Sequence, residues 1–387
     1  MNSLRILMIL HMPWNRNLGG SRVQLELAEE FRKLGHEVEK FDLYDAFPKA
    51  KSSSRLGELF RPSFSVMAKA FVQANAYRFD VIDAHQGNLP YSKKELGFKG
   101  LLVARSVGLY AFYDQFSKSE NLKNPPQKLK TRLGNFLRSW KYNRELNLYP
   151  RSLQTCDLIN VPNCDELIYI RDILELGDKC VVFPFGLTQD RQQQFKQAMK
   201  SSEVRLANKQ IVFIGTWGSR KGSRDWAQII TQIKGQVPSA RFLFLGTGLS
   251  GEKVLQDLSL PSCDWIEIIP QYNSEDLPKL LSGATVGAFP SYIEGFGFAV
   301  LEKLASGLPT VAYDVPGPRE MLKYLDLSFL TTVGDTLKFS NQLINLLNSD
   351  IGSYSNLTQR CIEAADKFSW KKIAKDTLDI YSKHLNK

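Results

Sequence analysis

Two glutamates, Glu294 and Glu302, stand on either side of the run Gly295, Phe296, Gly297, Phe298, where the apolar stretch FAVLEKLAS begins. That stretch has helical spacing. Val300 and Leu304 share one face and Gly307 stands where a left-handed cap would end it, while Glu302 lies about 200° round from Val300 and is expected off the core face. Helical side chains lean toward the N-terminus, so Glu302 is expected to lean over Phe298 toward the loop carrying Glu294. A helix N-terminus flanked by glycines offers backbone N–H groups to an anion. A diphosphate fits such an end, but carboxylates repel it and suit hydroxyls instead. A ligand with a diphosphate between a ribose and a hexose answers both demands, and that ligand is a nucleotide sugar.

The elements that must hold these residues can be read from apolar runs. LRILMIL, HEVEKFDLY, FDVIDAH, GLLVARSVG, CDLINVP and KCVVFPFG read as strands, with helix RVQLELAEEFRKLG following the first after the loop HMPWNRNLGGS. The alternation restarts in QIVFIG, ARFLFLGTG, DWIEIIP, TVGAFPS and LPTVAYD. This predicts an α/β chain of two Rossmann-like domains, 1–187 and 188–367, facing each other across a cleft, with residues 368–387 as a last helix. The polar stretch 188–209 reads as boundary and linker. In the last helix Ile373, Thr377, Ile380 and Leu385 follow a helical face only loosely.

The chain has 387 residues, 43% of them hydrophobic, enough for two cores. Its net charge of +10 invites anionic partners. No paired Cys/His spacing, aromatic RNP-type strand or basic helix with heptads is present, so nucleic acid is not expected. Five cysteines without metal-ligand spacing point to a reducing cytoplasm. Residues 1–11 read as a buried strand rather than a signal, and no run of 18 apolar residues predicts a membrane span.

EGFGFAVLE, continued by KLASGLPTVAYDVPGPRE, resembles the E-x7-E motif of retaining glycosyltransferases of the GT-B fold, family 4. The LGG of residues 18–20, IGTWGSRKG, FLGTG and FSW carry the resemblance along nearly the whole chain. It implies that Glu294 binds hydroxyls of the donor sugar, Glu302 the ribose diol, and the amides of Phe296 to Phe298 the sugar and diphosphate. Gly295, Gly215, Thr216 and Gly20 would join the donor site, with Gly19, Val107 and Gly108 at the acceptor or sugar pocket. Lys221 matches the family lysine that neutralises the leaving diphosphate. The implied reaction moves a hexose from a UDP- or GDP-linked donor to a saccharide or lipid-linked acceptor, in cell-surface polysaccharide or glycolipid synthesis, with no cofactor. Without a DxD motif, no metal is expected. The terminal helix would cross back onto the N-terminal domain.

Two positions depart from the family pattern. Thr216 stands where an arginine belongs, leaving Arg220 beside Lys221 as a substitute cation, and Val107 replaces a histidine before Gly108. The second change removes a hydrogen-bonding group that can contribute 10² to 10⁴ in rate. A non-catalytic nucleotide-sugar binder or partner subunit, and a sugar-nucleotide epimerase, therefore remain as alternatives. His85 follows a strand whose carboxyl end is where open α/β sheets bind ligands, and is a further candidate for the acceptor pocket. Residues 118–151 are strongly basic, with Leu129, Leu133, Phe136, Leu137 and Trp140 at helical spacing. They suit either an anionic membrane surface, making the protein peripheral on the inner face, or a helix packed on its own domain.

Overall fold

Short, nearly continuous apolar runs form the strands of two sheets whose faces are both covered, as parallel strands require. The computed structural model describes residues 3–48, 62–123 and 147–386. The first sheet contains β1 (Arg5–Ile9), β2 (Glu37–Phe41), β3 (Val81–His85), β4 (Leu101–Arg105), β5 (Leu158–Val161) and β6 (Cys180–Val182), in the order β2-β1-β3-β4-β5-β6. The second contains β7 (Gln210–Ile214), β8 (Arg241–Leu245), β9 (Ile266–Ile269), β10 (Val286–Phe289), β11 (Thr310–Tyr313) and β12 (Leu330–Thr331), in the order β12-β11-β10-β7-β8-β9. All neighbouring strands pair in parallel, for example Leu7 with Ile82 and Val212 with Gly287. Both sheets form the α/β architecture expected; the two-residue β12 has no periodicity by which to be read.

In each sheet the strand order reverses beside its first strand. β2 lies on one side of β1 and β3 on the other; β8 lies on one side of β7 and β10 on the other. Loops leaving the carboxyl ends of β1 and β3, and of β7 and β10, therefore flank the crevices where open α/β sheets bind ligands.

Two compact units result, residues 1–184 with 370–387 and residues 185–369. The stretch 188–209 is no linker. It forms the helices Gln189–Ala198 and Ser202–Asn208 of the second unit, whose first turns are capped by Thr188 and Ser201. Its polar composition hides a narrow inward face, in which Arg191 and Phe195, four residues apart, are both buried.

The terminal helix, Trp370–Leu385, packs in the first unit. Its buried face is Trp370, Ile373, Ala374, Thr377, Leu378 and Tyr381, a regular stripe that includes small and aromatic residues in place of the expected Ile380 and Leu385. Trp370 Nε1 donates to Glu26 Oε2 at 2.6 Å. Tyr381 donates its hydroxyl to Asp83 at 2.6 Å and accepts from Arg105 at 3.0 Å, and Arg105 in turn pairs with Asp83 at 2.6 Å. All three side chains are buried, so the hydroxyl satisfies a charged pair that water cannot reach.

The apolar positions of the basic stretch, Leu129 to Trp140, lie outside the described residues. At its edges Lys118 pairs with Asp114 at 2.7 Å and Arg151 with Glu95 at 3.1 Å. Among the described residues no helix is long and apolar enough to cross a membrane, and no cluster of His, Cys, Asp and Glu could hold a metal ion.

Candidate functional site

The loop after β7 begins at Gly215 and ends at Gly222. Trp217 turns inward against Phe213 and Phe244, with ring centroids 6.2 and 5.5 Å away, and this anchoring leaves its neighbour Thr216 exposed. Burying a ring of that size stabilises by roughly 1.5–3 kcal/mol, which fixes the loop on its sheet. Gly222 has φ 75°, and a Cβ there would stand 2.1 Å from the carbonyl oxygen of Pro290, so only glycine lets this loop close against the one leaving β10. The two loops are also joined by the Tyr292 amide, which donates to the Arg220 carbonyl at 2.9 Å.

The loop after β10 carries Glu294, Gly295 and the buried Phe296, whose ring packs on Phe298 and Phe368. Gly297 takes φ 87° and opens the helix Phe298–Ala305, which Gly307, at φ 63°, ends. Lys221 Nζ is hydrogen-bonded and ion-paired to Glu294 Oε2. Arg220 approaches the same oxygen at 3.8 Å. The neighbouring cations thus converge on one carboxylate beside a helix N-terminus. Burial lowers the pKa of Lys221, opposed by the Glu294 carboxylate and reinforced by the Arg220 charge.

Glu302 departs from the expectation of a position off the core. Its side chain is only 6% exposed and lies 3.7 Å from the Arg191 guanidinium. Every residue from Val300 to Ala305 is buried, because this short helix is covered on all sides rather than on one stripe. Arg191 also donates to the Ser274 carbonyl at 2.5 Å and stacks over Phe195 at 4.6 Å.

In the first unit, the loops after β1 and β3 meet at a pair of imidazoles, His11 and His85, with ring centroids 5.2 Å apart. His85 is buried. Its Nδ1 lies 3.0 Å from the Gln86 carbonyl, Nε2 has no hydrogen-bond partner among the described residues, and burial with the nearby His11 pushes its pKa down to about 3, so the ring is neutral. Gly20, in the first turn of the helix Gly19–Lys33, packs beside Met12 and Val107: a Cβ at Gly20 would lie 3.1 Å from Met12 Cε and 3.7 Å from Val107 Cγ2. Among the described residues none lies within 4 Å of where a Cβ on Gly19 would stand. Gly108 lies under the Tyr113 ring, its carbonyl accepting from Gln86 Nε2 at 2.6 Å and its amide donating to Ser106 Oγ at 3.0 Å. Ser106 in turn donates to the buried Glu166 at 2.6 Å.

A family model of the glycosyl transferases group 1 matches residues 208–349, which contain both loops of the Lys221–Glu294 pair. Over residues 208–349 the chain is similar to the glycosyl transferases group 1 family. Over 138 residues the chain is 33% identical to a D-inositol 3-phosphate glycosyltransferase of Salinispora tropica, 35% of this chain and 28% of that protein. Over 175 residues it is 28% identical to O-antigen chain mannosyltransferase B of Escherichia coli, 44% of this chain and 45% of that protein. These matches therefore span less than half the length of either relative. The fold extends over the whole chain: sucrose-phosphate synthase from Thermosynechococcus elongatus superposes with a TM-score of 0.73 at 17% identity, covering 98% of each chain. Anabaena HepE, solved in complex with UDP and glucose, superposes with a TM-score of 0.67 at 15% identity, covering 98% of this chain and 100% of that one. The architecture is GT-B.

Two further residues of the second unit carry weight that the sequence did not advertise. Arg191 sits in a stretch of polar residues and is revealed only by its spacing from Phe195. Asp225 follows the β7 loop, and its carboxylate accepts from Tyr313 at 2.6 Å and Tyr292 at 3.1 Å, tying this segment to β11 and to the loop after β10. Burial raises its pKa against these two hydrogen bonds.

Proposed function

We propose that the protein transfers a hexose from a UDP- or GDP-linked donor to an acceptor hydroxyl, with retention of configuration. The observation that carries this reading is the convergence of Lys221 and Arg220 on Glu294 beside the N-terminus of Phe298–Ala305. The donor diphosphate competes with Glu294 for the two cations, and the carboxylate so released accepts hydroxyls of the hexose. Glu302 accepts the ribose diol, sharing its charge with Arg191. As the bond from the anomeric carbon to the diphosphate breaks, its electron pair goes to the phosphate oxygen. The acceptor hydroxyl attacks from the same face and gives its proton to that oxygen. Lys221, Arg220 and the amides at the helix N-terminus stabilise the charge that grows there. The acceptor is a saccharide or lipid-linked saccharide of surface polysaccharide or glycolipid synthesis. The names of the curated relatives, which include a mannosyltransferase, and the UDP and glucose bound to HepE support this reading.

Incubation with UDP-, GDP- and ADP-hexoses and an acceptor panel, with NMR of the product's anomeric proton, tests it. Release of nucleotide with an unchanged anomeric configuration is the expected result; an inverted product would overturn retention. Val107 and the exposed Thr216, where the family pattern has a histidine and an arginine, favour a second reading, a binder without turnover. An inert native protein made active by Val107→His would select it, whereas a modest change of rate or sugar preference in an active enzyme supports transfer.

A further inference from the structure

Lys303 follows Glu302 in the helix Phe298–Ala305, yet it is wholly buried, 0% exposed. Its chain runs along β10, where Gly287 makes room: a Cβ on that glycine would lie 2.6 Å from Lys303 Cδ. Nζ donates to the Ala288 carbonyl at 2.8 Å, a single neutral acceptor for a group with three donor hydrogens. No carboxylate lies within ion-pair distance of it among the described residues. An ammonium in that position lacks both water and a counter-ion, and the physical resolution is loss of a proton.

The group lies close to the candidate donor site. Lys303 Nζ stands 5.4 Å from the centroid of the Phe289 ring, and Lys221 Nζ stands 5.0 Å from the same centroid. The charged groups acting on Lys303 are Lys221, from the loop after β7, and Glu302, on its own helix; β10 and β11 present Gly287, Ala288, Phe289 and Thr310, none of which ionises. Burial and Lys221 lower its pKa to about 7, with Glu302 opposing. A diphosphate at Lys221 brings negative charge to the same neighbourhood.

We propose that Lys303 is a buried positioning residue of the donor site, whose amine takes a proton from solvent when a nucleoside diphosphate occupies the Lys221 loop, adding a second positive charge behind the leaving group. This rests on the diphosphate-donor reading above. Only the proton moves, from buffer to the Lys303 nitrogen.

Calorimetric titration with UDP, GDP and ADP at pH 8, in buffers of different ionisation enthalpy, reads the proton directly. At that pH a terminal phosphate, with a pKa of about 6, is already deprotonated. The wild-type protein is expected to take up most of one proton with whichever nucleotide binds, and its affinity to weaken toward roughly tenfold per pH unit between pH 7 and 9. Lys303→Met should bind without uptake and with a flat profile. Lys303→Arg, whose charge is fixed, should also lack uptake while keeping the wild-type affinity of pH 7, and it decides the matter if the methionine variant does not fold. Absence of uptake in the wild type, or equal uptake in either variant, overturns the role of Lys303 and leaves the donor reading intact. Failure of all three nucleotides to bind the wild type overturns both.

Discussion

Lys221 and Glu294, 73 residues apart in sequence, are ion-paired where the loops leaving β7 and β10 meet. A cation placed for a departing diphosphate acts most strongly when that charge is greatest, in the transition state. Lys221→Ala is therefore expected to lower kcat by roughly 10² to 10³, with a much smaller change in donor KM. Steady-state kinetics with the active donor checks this, and an effect confined to KM would make Lys221 a binding residue alone.

Glu302 and Arg191 are expected to separate binding from stability. Glu302→Gln should weaken the nucleoside diphosphate about tenfold, since an amide accepts diol hydroxyls less well than a carboxylate. Unchanged affinity in a titration with the free nucleotide would remove Glu302 from the ribose. Arg191→Met removes the guanidinium 3.7 Å from the buried Glu302 carboxylate and should cost about 3 kcal/mol in urea unfolding.

Tyr381→Phe removes the hydroxyl shared by Asp83 and Arg105 without disturbing the packing of the ring. A loss of about 1–3 kcal/mol is expected, appearing in the unfolding of the first unit. Fluorescence-detected denaturation measures it, and a change below a few tenths of that range would show the pair to be satisfied without the tyrosine.

Glu166 offers a pH test. Burial raises its carboxyl pKa from the ordinary 4.5 to about 7, against hydrogen bonds from Ser106, Leu109 and Asn163. A carboxyl raised on folding contributes stability that is full below its unfolded pKa and is lost as pH rises through the folded one. Glu166→Gln cannot ionise. Its melting temperature should match the wild type near pH 5 and exceed it near pH 8.5, by the equivalent of roughly 2–3 kcal/mol. Parallel melting curves across that window would exclude the titration.

Strands were legible because parallel strands covered on both faces read as unbroken apolar runs, as in QIVFIG and LRILMIL. The Lys221 and Glu294 loops were legible because glycines and charges of fixed spacing mark them. The inward turn of Glu302 was not, since its partner Arg191 lies in a stretch whose composition is that of a linker and whose one apolar anchor is Phe195. Nothing in the local sequence around Lys303 marks it as buried. The signal that could have exposed it is Gly287, the small residue in the strand against which its stem packs, and no local window contains both.

The first unit is discontinuous in sequence: the chain leaves it after Pro184 and returns at Trp370. During synthesis on the ribosome, Glu26 and Asp83 emerge long before Trp370 and Tyr381, their partners. The second unit, residues 185–369, has all its strands and helices made before residues 370–385 exist. The second unit thus has its whole sequence without the terminal segment, while the first waits for Trp370 and Tyr381 with its Asp83–Arg105 pair still open to water. Released chains ending at Ser369 should accordingly be cleaved by protease in the first unit and resist it in the second.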